Sequence, residues 1–196
     1  MPPTVNFGKV ADNDNFEPLP VAKYPCVLEV SNTQKDSSGG VMTGEGDKPA
    51  ILHTLAGDEK WDIKATILDG KHAGRWIRDN LSFGEKAVKR VKTVFVRAGI
   101  IEGDEKHNCT PDELDGTYWW VEIDRHEPRT NKDGTPKLRK DGKPIVDARV
   151  GFAGYTPMTP QEAKRYRESY QAWLAHKNGV AADAGEQEND DDPPPF

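Results

Sequence analysis

The chain has 196 residues, 31% charged and 35% hydrophobic, with a formal charge of -6, a length that fits one domain with loose ends. No apolar run approaches the ~20 residues that span a bilayer. With only Cys26 and Cys109 as thiols, and no basic-then-apolar leader behind Met1-Pro2-Pro3, the composition excludes a disulfide scaffold and predicts a soluble protein of a reducing, cytoplasmic compartment.

Residues 1–20 are polar, contain four prolines and read as a flexible arm. The first strand is predicted at Tyr24–Ser31, where Tyr24, Cys26, Leu28 and Val30 share a face. Residues 32–60 read as a long loop with a short hairpin around Ala50–Leu55; loops of this length are functional or disordered. The second strand is predicted at Trp61–Leu68, with Trp61, Ile63, Ala65 and Ile67 inward. The third, Arg75–Phe83, turns Ile77, Leu81 and Phe83 one way and Trp76, Arg78 and Asn80 the other.

Ser82-Phe83-Gly84-Glu85 has the form of a capping box, and Val88, Val91, Phe95 and Ala98 recur at helical spacing before Gly99. The other helix face, with Lys86, Lys89, Arg90 and Lys92, reads as a solvated surface. Thr110-Pro111-Asp112-Glu113 supplies a second cap. A fourth strand, Thr117–Arg125, places Trp119, Val121 and Ile123 opposite Tyr118, Trp120 and Glu122. A polar stretch leads to a fifth strand at about Pro144–Phe152. A last helix starts at Thr159-Pro160-Gln161-Glu162 and ends near Asn178-Gly179, with Tyr166, Tyr170 and Trp173 on one stripe.

The order strand, strand, strand, helix, strand, strand is that of the OB-fold. This is a five-stranded barrel whose second and third strands bind oligonucleotides, together with the loops between strands one and two and between four and five. The predicted architecture is therefore mainly β with helices: an arm (1–20), an OB-fold body with a C-terminal helix (21–178) and a disordered acidic tail (179–196).

Binding a single strand requires flat rings for bases and cations for phosphates. Trp76 and Arg78 stand opposite the apolar face of the third strand, flanked by Arg75, and Lys64 lies on the polar face of the second. Tyr118 and Trp120 form a similar pair on the fourth strand, as a stacking surface or as a small core under the last helix. Arg125, Arg129, Lys132, Lys137, Arg139, Lys140 and Lys143 crowd the loop between strands four and five, as a binding wall or a solubility device, and Arg149 follows on the fifth strand.

Enzyme signals fail. Asp62-Ile63-Lys64 has the D-x-K form of nuclease sites without further acids to converge on a metal. His107-Asn108-Cys109 lacks a second ligand pair at zinc-site spacing, and no phosphate loop or nucleophile turn is present. No catalytic residue, metal or cofactor is expected.

The tail carries Asp183, Glu186, Glu188, Asp190, Asp191 and Asp192, six of the 33 acids, so the remaining 27 balance the 27 Lys and Arg of the body. Asp190-Asp191-Asp192-Pro193-Pro194-Pro195-Phe196 joins an electrostatic lure to an aromatic plug, a form suited to capture by a basic pocket.

This ending resembles that of bacterial single-stranded DNA-binding proteins, which finish D-D-D-I-P-F; here the acidic triplet and Pro195-Phe196 match, and prolines replace the isoleucine. Leu19–Val30, Ile67-Leu-Asp-Gly-Lys-His-Ala-Gly-Arg-Trp-Ile-Arg-Asp79 and Phe152-Ala-Gly-Tyr155 resemble a phage family long catalogued as a domain of unknown function. Members of that family are regarded as single-stranded DNA-binding proteins of recombination and replication. The resemblance covers most of residues 19–156 and departs from the family at 41–60, which look like an insertion. It implies a non-catalytic protein that coats single-stranded DNA and recruits replication and recombination proteins through Asp190, Asp191, Asp192, Pro195 and Phe196, with oligomeric state open. The alternatives are a strand-annealing mediator, a small metal-dependent nuclease, and an adaptor whose body binds protein.

Overall fold

A computed structural model describes residues 18–103, 106–131, 133–139 and 141–186, the last ten as helical backbone. The elements follow as β1 (Ala22–Ser31), β2 (Lys60–Ile67), β3 (Trp76–Ser82), α1 (Val88–Arg97), β4 (Tyr118–Pro128), β5 (Val146–Pro157) and α2 (Pro160–Glu186). The five strands form one antiparallel sheet in the order β3-β2-β1-β4-β5, an order compatible with an OB-like fold.

Alternation sorts the faces. Cys26, Leu28 and Val30 on β1, Trp61, Ile63 and Ala65 on β2, Ile77 and Leu81 on β3, and Trp119, Val121 and Ile123 on β4 are all buried. The register sets Cys26 opposite both Ile67 and Trp119. Trp61 packs on Phe83 and Phe95 at 4.7 and 6.0 Å, and Trp119 meets Tyr155 edge to face at 6.1 Å. Each such large apolar side chain contributes roughly 1.5–3 kcal/mol by leaving water.

β4 and β5 pair with an irregularity. Val121 lies opposite Tyr155 and Ile123 opposite Val150, so a two-residue step on β4 is matched by five residues on β5. A bulge of this kind needs small residues and leaves backbone groups without ladder partners. At Gly154 a Cβ would stand 2.7 Å from Val150 Cγ1 and 2.9 Å from the Glu122 carbonyl, so a side chain there has no room. Two arginines of α1 take the freed carbonyls. Arg97 donates to Ala153 O and Tyr155 O at 2.6 and 2.7 Å, while Arg90 reaches Val150 O and Gly151 O at 3.5 and 3.4 Å.

Arg90 also pairs with Asp79 of β3 at 2.5 Å, and Asp79 accepts from the Tyr155 hydroxyl at 2.7 Å. Burial opposes the Arg90 cation, but the hydrogen bonds and charge of Asp79 more than offset it and hold the guanidinium above its ordinary range. Burial, with Asp79 beside it, pushes the Tyr155 phenol well above its ordinary value, so it remains a neutral donor. This network ties β3 to β5, the two edges of the sheet. Among the described residues no ladder pairs them.

Several expectations need correction. The Ser82–Glu85 capping box does not form. The N-cap of α1 is Ala87, with no side-chain cap, because a turn over Gly84–Ala87 intervenes, closed by Gly84 O accepting from Ala87 and Val88 N–H. Val88 is exposed and Val94 takes its place in the core. Arg90 belongs to the buried network rather than to a solvated face. The box at Thr110–Glu113 is present. β4 runs on to Pro128 and β5 to Pro157, since the bulge lets pairing resume beyond Phe152.

The long loop is ordered by bridges at Thr33↔Ile51, Lys35↔Val41, Thr43↔Pro49 and His53↔Glu59, a branched set of hairpins rather than a single one at Ala50–Leu55. Thr159 and Glu162 cap α2 reciprocally, at 2.9 Å for the Thr159 N–H and 3.3 Å for the Glu162 N–H. The helix passes Gly179 and Gly185 and continues to Glu186, a stretch in which Ala181, Ala182 and Ala184 are the best helix formers. Residues 1–17 of the arm and 187–196 of the tail lie outside the described residues.

Candidate nucleic-acid interface

The outer face of the sheet is a grid set by strand register. Val27, Thr66 and Trp76 form one row across β1, β2 and β3; Glu29, Lys64 and Arg78 form the next; Ser31, Asp62 and Asn80 the third. Trp76 is 44% exposed although its neighbours Ile77 and Leu81 are buried. The guanidinium of Arg78 lies over its ring, 4.7 Å from the centroid. A cation stacked on indole holds the ring in place and keeps one π-face for another flat group.

Trp76 and Arg78 form one wall of a groove of about 700 Å³. Its other lining includes Arg75, Arg129, Arg139, Arg149, Leu138, Ile145 and Val146, with Asp147 as its one carboxylate among the described residues. Five arginines, an indole and three aliphatic side chains fit a polyanion that carries flat, apolar bases.

The far wall is built by an internal repeat. Lys132-Asp133-Gly134-Thr135-Pro136 and Lys140-Asp141-Gly142-Lys143-Pro144 recur at a spacing of eight residues. In both, the aspartate accepts from the N–H two residues on, at 3.0 Å to Thr135 and 3.1 Å to Lys143. The three chain passages then close in a ring: Arg129 N–H to Ile145 O, Ile145 N–H to Lys137 O, and Lys137 N–H to Arg129 O, all within 2.7–2.8 Å. The loop after β1 repeats this construction with Gln34, Ala50 and Met42, at 2.7–2.9 Å. The β4–β5 loop beside this groove and the loop after β1 are therefore both hydrogen-bonded projections. The eight-residue repeat was visible in the sequence, whereas Leu138, Ile145 and Asp147 of the lining carried no signal there that singled them out.

The structure brings some of the expected cations to this groove and leaves others elsewhere. Arg75, Arg78, Arg129, Arg139 and Arg149 line it. Lys64 faces an adjoining groove and pairs with Glu29 at 2.7 Å. Arg125 is engaged by Glu127 at 2.7 Å and by Asp124 at 3.0 Å and lines neither groove. Lys137 and Lys143 stand exposed on the projection, the latter 4.0 Å from Asp141. Lys132, Lys140 and the tail residues Asp190, Asp191, Asp192, Pro195 and Phe196 lie outside the described residues.

Carboxylates support several of these arginines. Asp147 grips Arg129 through Nε and Nη2 at 3.1 and 2.7 Å. Glu127 accepts from Arg149 Nε at 2.9 Å. The hydrogen bond donated by Arg125 is the main reason that the Glu127 carboxyl sits below its ordinary range, and the hydrogen bonds that Arg129 donates to Asp147 raise the guanidinium above its own.

Tyr118 and Trp120 are not brought to the groove. They do share the outer face, but α2 packs there. Trp120 meets Tyr166 edge to face at 5.3 Å and donates to Glu162 at 3.4 Å, while Arg167 lies over Tyr118 at 5.2 Å. Trp173 closes on Gly74, whose positive φ of 78° and contact with the indole both exclude a side chain. In the D-x-K tripeptide, Asp62 pairs with Lys60 at 3.2 Å. His107 bonds Glu113 at 2.6 Å. Among the described residues no three of His, Cys, Asp and Glu gather closely enough to hold a metal ion, and no helix is long and apolar enough to cross a membrane.

No protein-family model matches the chain, and no curated protein matches it either.

Proposed function

We propose that this chain is a sequence-independent single-stranded DNA-binding protein, with an OB-type barrel as its body and an acidic, Phe-ended tail that recruits replication and recombination proteins. The observation that carries the reading is Trp76, exposed and backed by Arg78, on the wall of a groove lined by five arginines. A stacked base contributes about 1–3 kcal/mol, and guanidinium groups follow a backbone without reading sequence. The barrel assignment is supported by the strand order and by the network Arg90–Asp79–Tyr155, which draws the β3 and β5 edges together. On this reading residues 21–178 form the binding unit, and the protein acts without catalysis, metal or cofactor. On this reading, for which the resemblance to phage proteins is the support, it works in the cytoplasm of a bacterial host.

An electrophoretic shift with a labelled single strand, challenged in turn by single-stranded DNA, duplex DNA and RNA, tests the proposal. Single-stranded DNA should compete best, because duplex bases are already stacked and cannot reach Trp76. Equal competition by a matched duplex would overturn the reading. Magnesium-dependent loss of the label would replace it with the nuclease, and no shift at low salt would favour the protein-binding adaptor.

A further inference from the structure

The basic groove does not stand alone on the outer face. A second groove of about 880 Å³ adjoins it, sharing Arg78 and Arg149, and extends over β2 and β1 toward the loop after β1. Its balance of charge is different. Apart from the two shared arginines, the carboxylates Glu29, Asp36, Asp62, Asp79 and Asp115 line it against the cations Lys35 and Lys64. The side chains of Glu29 and Asp62 are 58% and 57% exposed, and Asp62 pairs with Lys60 at 3.2 Å. Lys64, the cation at the centre of the grid, is already engaged by Glu29 at 2.7 Å. A phosphate backbone laid across β3 therefore meets guanidinium groups on the β5 side and carboxylates on the β1 side.

Resting on the reading of the basic groove as a single-strand site, we infer that the bound strand runs from Trp76 across β3 toward the β4–β5 projection. Glu29 and Asp62 form an electrostatic stop that keeps it off β2 and β1. The acidic half thus sets the footprint: a few nucleotides at the basic groove, with no binding gained from further length over the sheet. Glu29 stands in the row of Lys64 and Arg78, and Asp62 in the next row, Ser31–Asp62–Asn80, one step past the last groove cation of β3. Like charges brought together in a partly desolvated groove repel by an amount that falls with distance and with salt, so the barrier is local and strongest in dilute buffer.

The test is fluorescence anisotropy with labelled oligothymidylates from about 4 to about 16 nucleotides, the span of footprints for one OB-type module. The measurement uses the full chain at low salt, comparing it with Asp62→Asn and with the double variant Glu29→Gln/Asp62→Asn. Both side chains are exposed, so the variants should fold, and far-ultraviolet circular dichroism checks this. Affinity of the parent chain should stop rising near the short end of the range. In the double variant it should keep rising with length, gaining on the order of three- to tenfold for the longest oligonucleotide while the shortest is unchanged, as expected for relief of one or two like-charge contacts. Added salt should erase the difference. An equal gain at every length, or no gain at any, would overturn the stop while leaving the single-strand site intact. Absence of binding by the parent chain at every length would remove both.

Discussion

The guanidinium of Arg78 covers one face of Trp76 at 4.7 Å, on a strand whose alternate residues are buried core. The pair thus presents a fixed ring whose remaining surface opens into the arginine groove. Trp76→Ala should weaken single-strand binding by ~1–3 kcal/mol, the value of one stacked base, with no change in the denaturant midpoint. Trp119→Ala, which removes a buried ring against Tyr155, should instead lower stability by ~3–5 kcal/mol. Titrations and urea melts on both variants separate the roles, and an exchange of the two results would place the strand faces one residue out of register.

The buried ion pair predicts a different signature. Asp79→Ala leaves Arg90 charged and without its carboxylate among packed side chains, a change that typically costs ~3–5 kcal/mol. Replacing both partners by apolar residues should cost less than the sum of the single losses, because no uncompensated charge remains. Urea denaturation of the four proteins in the cycle measures this. Additive losses would mean that the pair contributes no coupling between β3 and α1.

Salt dependence follows from the lining. If all five groove arginines reach phosphates, the slope of log affinity against log salt should be about -3.5, from roughly -0.7 per contact on a single strand. A slope near -2, from roughly -0.7 for each of the three other arginines, would show that Asp147 and Glu127 keep Arg129 and Arg149 to themselves. In that case Asp147→Asn should steepen the slope by releasing Arg129.

The start of α2 should respond to acid. The carboxyl of Glu162 is held below its ordinary value of 4.5, first by the Thr159 N–H and then by the Thr159 hydroxyl and the Trp120 indole. A depressed folded-state value means that its stabilisation is complete above the unfolded value and is lost as pH falls through the folded one. Tryptophan emission should therefore shift in acid, at a pH below the ordinary carboxyl value of 4.5, as Trp120 is uncovered. Glu162→Gln, which preserves the reach of a capping box, should flatten that transition. An unchanged acid transition in the variant would assign it to other carboxylates.

The tail prediction rests on charge alone. Deleting residues 187–196 removes Glu188, Asp190, Asp191 and Asp192 and should tighten single-strand binding at low salt, with the gain fading as salt screens the tether. Phe196→Ala should leave DNA affinity nearly unchanged, since it removes no charge, and abolish capture of a purified replication or recombination protein that binds the tip of the parent chain. Weaker DNA binding on deletion, or full retention of that protein by Phe196→Ala, would refute this division of labour.

The element order, the inward faces of β1 to β4 and the capped starts at Thr110 and Thr159 were determined by the sequence itself. They depend on interactions within a few residues: alternation along a strand and hydroxyl or carboxylate reach across one turn. The outward parity of Trp76 and Arg78 belongs to the same class. Where charge and aromatic residues end up is a different matter, because it depends on what packs across the chain. Alternation placed Tyr118 and Trp120 correctly on the outer face, yet only the path of α2, fixed by Trp173 against Gly74, decided that they are covered. The spacing of Arg90 on a helix face was equally legible. Its burial depended on the β5 bulge 60 residues away, whose freed carbonyls and nearby Asp79 make a charged side chain the residue that fits. The division of the outer face into a basic and an acidic half was likewise decided by register, which sets Glu29 beside Lys64 and Arg78, since pairing across strands joins residues whose separation along the chain carries no local signal.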